Sequence, residues 1–181
     1  MSELEDAWAG ALAEAEARAR AAGRKDISEY LALRSANDAI RKVAANWLFA
    51  TFETLTDEAN LAAAGIQISR DDEHRFKVGR ATMTGRRLSL GKGVRQLIVE
   101  AGWPRTPRDG FLRGGGLARA NIKHLGIKSA SEQLQLVIDH EGPPRWIRQR
   151  SVEPDPEIHE TDIRNHISIL LDDSRTDASH S

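Results

Sequence analysis

At Gly65 the hydrophobic period of this chain changes from about 3.6 residues to about 2, and no other feature restricts its fold as strongly. Before Gly65, Ala36, Ile40, Val43 and Trp47 recur at helical spacing, and Leu48 and Phe52 widen the stripe. After it, Phe76 and Val78 alternate with Arg75 and Lys77, and Leu88 and Leu90 with Arg87 and Ser89. Leu97 and Val99 then alternate with Gln96, Ile98 and Glu100. Helices that precede the strands, instead of interleaving with them, exclude a doubly wound unit. The order predicts an α+β fold, with N-terminal helices packed on one face of an antiparallel sheet of about five strands and the other face wet.

Local signals divide the helical part. The alanine-rich opening carries its acids early and its arginines late, as a helix dipole prefers, and Gly23 ends it. Asp26 with Glu29, and Ser35 with Asp38, have capping-box spacing, and a short helix is expected from Thr56 to a C-cap at Gly65. In the second part, Gly91-Lys92-Gly93 reads as a hairpin turn. Further strands are expected in ARANIKHLGI (118–127) and EQLQLVIDH (132–140), with RWIRQR (145–150) as an edge strand after Gly142-Pro143-Pro144. Gly79, Gly85 and Gly91 lie six apart, but without other shared positions they read as turn or bulge glycines, not as a repeat. The organisation is thus a helical part over 1–66, a β part of the same domain over 67–150, and an acidic linker and tail over 151–181. In the last part Ile163, Ile167 and Leu170 fit a helix.

Charge carries the functional signal. The net charge of −1 hides a division into residues 1–73 at −6, 74–150 at +11 and 151–181 at −6. Between 74 and 128 thirteen Lys or Arg face only Glu100 and Asp109. The segment GWPRTPRDGFLRGGGLAR (102–119) concentrates Arg105, Arg108, Arg113 and Arg119 among prolines and glycines. Guanidinium groups fork phosphate oxygens, and glycines let backbone amides approach them. The expectation is therefore a non-catalytic module that binds nucleic acid through phosphates, with little base specificity. Arg105, Arg108, Arg113 and Arg119 would hold phosphate, Arg86, Arg87 and Lys92 would assist, and Trp103 and Phe111 would stack on unpaired bases. The alternative is a protein-interaction or self-assembly module whose basic strip docks an acidic surface, including the acidic end of another copy. A third possibility is that the strip pairs with the chain's own acidic ends, and in any of these the tail either masks the strip or is idle.

Other chemistries find less support. There is no cysteine, so disulfides, thiolate zinc sites and thiol catalysis are excluded. No phosphate-loop, dinucleotide or serine-hydrolase motif occurs, and no cofactor is expected. HETDIRNH supplies His159, Glu160, Asp162 and His166, of which His159, Asp162 and His166 would fall near one helix face with metal-like spacing, Asp139, His140 and Glu141 are a second candidate, and Glu100, Asp109 and Asp139 could serve a nuclease. Turn, strand-end and surface roles account for each of these equally well. The acidic start lacks the basic and apolar blocks of a signal peptide, and no apolar run approaches membrane-spanning length. A cytoplasmic protein without integral membrane association is expected, and the alanine- and arginine-rich composition suggests a bacterial source.

Overall fold

The structure is a computed structural model that describes residues 3–110, 112, 114, 116–138, 142–149 and 157–172. Its contacts divide into two units, Met1–Val43 and Ala44–Ser181.

The first unit holds helix α1, Glu3–Ala21, and the start of α2, Lys25–Leu61. Helix α1 ends as a Schellman motif: Gly23 adopts φ +70° while Arg24 N–H reaches Ala19 O and Gly23 N–H reaches Arg20 O. Helix α2 runs unbroken where two further boundaries were expected. The Asp38 carboxylate accepts from Arg41 at 2.6 Å one turn on, and so supports the helix where a cap was expected. The buried Thr56 hydroxyl donates to Phe52 O at 2.7 Å, a back-bond that satisfies the group inside a continuing helix. The expected cap also moves. It is Ala63, at φ +63°, that occupies the left-handed position, with Ala64 N–H on Ala59 O and Ala63 N–H on Asn60 O. Asn60 then brackets Ile66, donating to its carbonyl at 2.9 Å and accepting from its N–H at 2.7 Å.

In the second unit six strands form one antiparallel meander in chain order: β1 Gln67–Val78, β2 Ala81–Lys92, β3 Arg95–Trp103, β4 Ala118–His124, β5 Glu132–Val137 and β6 Arg145–Arg148. RWIR is an edge strand, as its prolines imply. The C-terminal segment contributes helix α3, Glu160–Leu171. Leu88, Leu90, Leu97, Val99, Ile122, Leu134 and Leu136 are buried on the face that meets the helices. Leu48, Phe52 and Leu55 of α2 and Ile163, Ile167 and Leu170 of α3 supply the other half of this core. The Trp146 indole N–H fastens the packing by donating to Ala44 O at 3.0 Å.

The opposite face is not uniformly wet. The β1–β2 register shifts between Asp71 and His74, so β1 carries a bulge and its side chains change sides there. Phe76 and Val78 therefore share a face with Ala81 and Met83, opposite to that of Leu88 and Leu90. Together with Leu112 they build a second, smaller apolar cluster. The close approach of β2 and β3 requires glycine: a Cβ on Gly85 would lie 1.9 Å from Ala101 O, and one on Gly102 2.7 Å from Thr84 O. No helix among the described residues is long and apolar enough to cross a membrane.

Candidate functional site

The free end of the β1–β2 hairpin and the turn after β3 meet at one corner of the sheet. The turn is built on Asp109. Its carboxylate accepts from Thr106 N–H at 2.9 Å, the Thr106 hydroxyl at 3.0 Å and Arg105 N–H at 3.2 Å. Those bonds, Thr106 N–H foremost, with help from the Arg75 charge, hold its pKa below the ordinary aspartate value against the opposing effect of burial. Arg75 Nη2 stands 3.5 Å from Asp109 Oδ1. Gly110 follows at φ +88° and lies so close to the hairpin that a Cβ would meet Ala81 Cα at 3.2 Å. Pairing of Arg75 with Thr84, and of Thr84 with Trp103, puts Arg75 and Trp103 on neighbouring positions of one face. Arg105 lies over the Trp103 ring, 4.0 Å from its centroid. The corner thus gathers Arg75, Lys77, Arg80 and Arg108, all exposed, with the half-buried Arg105.

The residues expected to act together are divided by this geometry. Arg105 and Arg108 belong to the corner. Trp103 is 4% exposed, and the ring it would offer to a base is covered by Arg105. Arg86 and Arg87 are adjacent in sequence and so face opposite ways. Arg86 donates to Asn46 Oδ1 at 2.7 Å and lies 4.6 Å from the Phe49 ring centroid, on the helix side, while Arg87 donates to Ser89 Oγ at 3.1 Å. Lys92 pairs with Arg95 at the β2–β3 hairpin, the other end of β2. Arg119 is 7% exposed on the face away from the helices, and burial lowers its pKa. Phe111 and Arg113 lie outside the described residues.

Several bases of the sheet meet the chain's own acids. Arg70 binds Glu53, Lys123 binds Glu100, Arg145 stands 3.4 Å from Glu157, and Arg148 binds Glu132 at 3.1 Å and Asp162 at 2.6 Å. Arg145 and Arg148 thus fasten the acidic C-terminal segment onto the sheet, while Arg70, itself within the acidic N-terminal segment, fastens α2.

Two polar clusters were not visible in the sequence. On the face away from the helices the buried Glu100 accepts from Asn121 at 2.8 Å, from Lys123 and, at 3.0 Å, pairs with His74 Nε2. Burial alone would raise the Glu100 pKa, but the bonds from Lys123, Asn121 and His74 hold it below the ordinary value. On the helix side His124 Nε2 and His166 Nδ1 share a buried hydrogen bond of 3.0 Å, and His166 Nε2 is 3.7 Å from Glu132. Burial first, and the neighbouring His166 second, push the His124 pKa down to about 4.

The metal and nuclease constellations are not assembled. Asp162 accepts from His159 N–H at 2.8 Å at the start of α3 and pairs with Arg148, while His166 points to His124. Asp139, His140 and Glu141 lie outside the described residues, among which no group of three metal-ligating side chains occurs. Glu100 sits in its polar cluster and Asp109 in its turn, each with its oxygens engaged. In comparison with known proteins, the chain matches no family model, no curated protein and no solved structure.

Proposed function

We propose that the chain is a non-catalytic binding module that engages a polyanion, nucleic acid by its phosphates, through Arg75, Lys77, Arg80, Arg105 and Arg108. One observation carries the reading. Where Lys123, Arg145 and Arg148 of the sheet are matched by acids, this corner exposes four cations around one carboxylate among the described residues, Asp109, which three hydrogen bonds already hold. The buried side of the hairpin, the Gly110 contact and the Arg105–Trp103 stack keep the corner in shape, which lowers the ordering cost of binding. Phosphates are contacted through charge and position, so base specificity is low.

The test is fluorescence anisotropy with labelled single-stranded DNA, duplex DNA and RNA. Four phosphate contacts on a duplex give a salt slope near 3.6, or roughly 150-fold weaker binding at about 200 mM salt than at about 50 mM. Substituting Ala at Arg75, Lys77, Arg80 and Arg108 together should remove most of that slope, whereas Ala at Lys92 should not. Absence of binding at low salt sinks the reading. The alternative, a basic surface that docks an acidic protein or a second copy of the chain, would instead give salt-sensitive self-association in sedimentation.

A further inference from the structure

The end of the sheet opposite the basic corner carries a different surface. Gln67 pairs with Gly91, Lys92 with Arg95 and Leu97 with His124, so the α2–β1, β2–β3 and β4–β5 turns all lie at this end. Each presents an aliphatic side chain to solvent: Leu61 at 90% exposure, Val94 at 94% and Leu125 at 53%. Single exposed aliphatics are common on protein surfaces, but turns that share one sheet end and are each tipped by one form a pattern.

The tips are held in defined turns. Val94 follows Gly93, at φ +58°, and Leu125 precedes Gly126, at φ +84°, with its own N–H on Gln96 O at 2.9 Å. Leu61 stands at the helix end that Asn60 fastens to Ile66. Charge around them is one-sided. The segments 59–70, 88–99 and 118–131, which build this end, contain no acid. Half-buried Lys92 and exposed Lys128 flank Val94 and Leu125, while Arg95 donates to Ile169 O at 3.2 Å and Lys123 binds Glu100. The acids at the adjoining helix ends are Asp57, Glu58, which pairs with Arg164, and Asp172.

Side chains as bare as Leu61 and Val94 touch little of the molecule around them, so they line no groove that a protein partner's side chain would fill. A bilayer receives each tip separately, and bases behind the tips are drawn to anionic headgroups. We propose that this end docks on an anionic lipid bilayer, with Leu61, Val94 and Leu125 entering the boundary between headgroups and acyl chains and Lys92 and Lys128 meeting the headgroups. The attachment is peripheral, and it leaves the basic corner, at the other end of β2, free to act.

The experiment is co-sedimentation of the full chain with vesicles of phosphatidylcholine alone and of phosphatidylcholine mixed with phosphatidylserine. Binding is expected on the mixed vesicles and should be at least about tenfold weaker on phosphatidylcholine alone. Val94→Ser combined with Leu125→Ser should weaken binding to the mixed vesicles at least about tenfold, as should Lys92→Gln combined with Lys128→Gln. The chain has no cysteine, so an environment-sensitive dye on Val94→Cys reports insertion. Its emission should shift to the blue on mixed vesicles, and that of the same dye on Arg80→Cys should not. No sedimentation with mixed vesicles, binding indifferent to the serine pair, or a blue shift at position 80 without one at 94 would each overturn the proposal. So would loss of vesicle binding on substituting Ala at Arg75, Lys77, Arg80 and Arg108 together, since the corner would then be the part that holds lipid. The serine pair should leave oligonucleotide affinity unchanged, and failure of one reading leaves the other standing.

Discussion

Acid should destabilise this protein through one histidine before its carboxylates are reached. His124 is 5% exposed under α3 and shares its Nε2 with His166 Nδ1, an arrangement that requires one lone pair and cannot accommodate two protonated rings. Its pKa is about 4 in the folded chain against 6.5 for a free ring. The unfolded chain therefore takes up this proton first, and stability present above about pH 6.5 is lost as the pH falls towards 4. The two values together give a loss of about 2 kcal/mol at pH 5 and about 3 kcal/mol at pH 4. Glu100 and Glu132, whose pKa values are held below the ordinary carboxylate value, add their own losses only at still lower pH. Urea unfolding of the wild type and of His124→Gln, from about pH 7.5 to 5, isolates the histidine. The variant should be less stable at neutral pH, because His166 loses its partner, but its profile should be flatter by about 2 kcal/mol. Parallel profiles, or an NMR titration of the His124 ring near 6.5, would refute the reasoning.

Three further substitutions test the fold. Ala63→Gly should stabilise by roughly 0.5–1 kcal/mol in thermal or urea unfolding, because Ala63 holds φ +63° at an exposed helix end where glycine is unstrained. Gly85→Ala should cost more than about 3 kcal/mol or prevent folding, since its Cβ would sit 1.9 Å from Ala101 O; retention of wild-type stability would mean that the β2–β3 register is wrong. Glu100→Gln should cost on the order of 1–3 kcal/mol by leaving Lys123 and His74 facing a neutral group, and it should also remove the part of the acid sensitivity that Glu100 contributes.

How much of this was legible in the sequence depends on range. The period change at Gly65 located the helix-to-sheet transition, since a buried stripe or face must repeat with its element. Ser35 and Thr56 misled because a capping residue is recognised only by what its side chain does. Asp38 instead meets Arg41, and Thr56 meets the carbonyl one turn back. The bulge in β1 escaped for a related reason: Phe76 and Leu88 both belong to clean alternations, and only the pairing register shows that they face opposite sides. For the candidate site, the basic segment was visible as charge. Its division was not, because partners such as Asn46 for Arg86 and Asp162 for Arg148 lie far along the chain. Arg119 looked like an exposed loop cation until the row Gly85–Gly102–Arg119 gave its side chain a place inside.

The bulge has a consequence for motion. Downstream of it, the hairpin tip stakes its apolar side chains on the small cluster of Phe76, Ala81, Met83 and Leu112, not on the core shared with the helices. A tip with this smaller apolar anchor should open more readily than the strands packed on the main core, although the Gly110 contact keeps it seated most of the time. Amide hydrogens of 76–83 should then exchange ahead of those of 88–99.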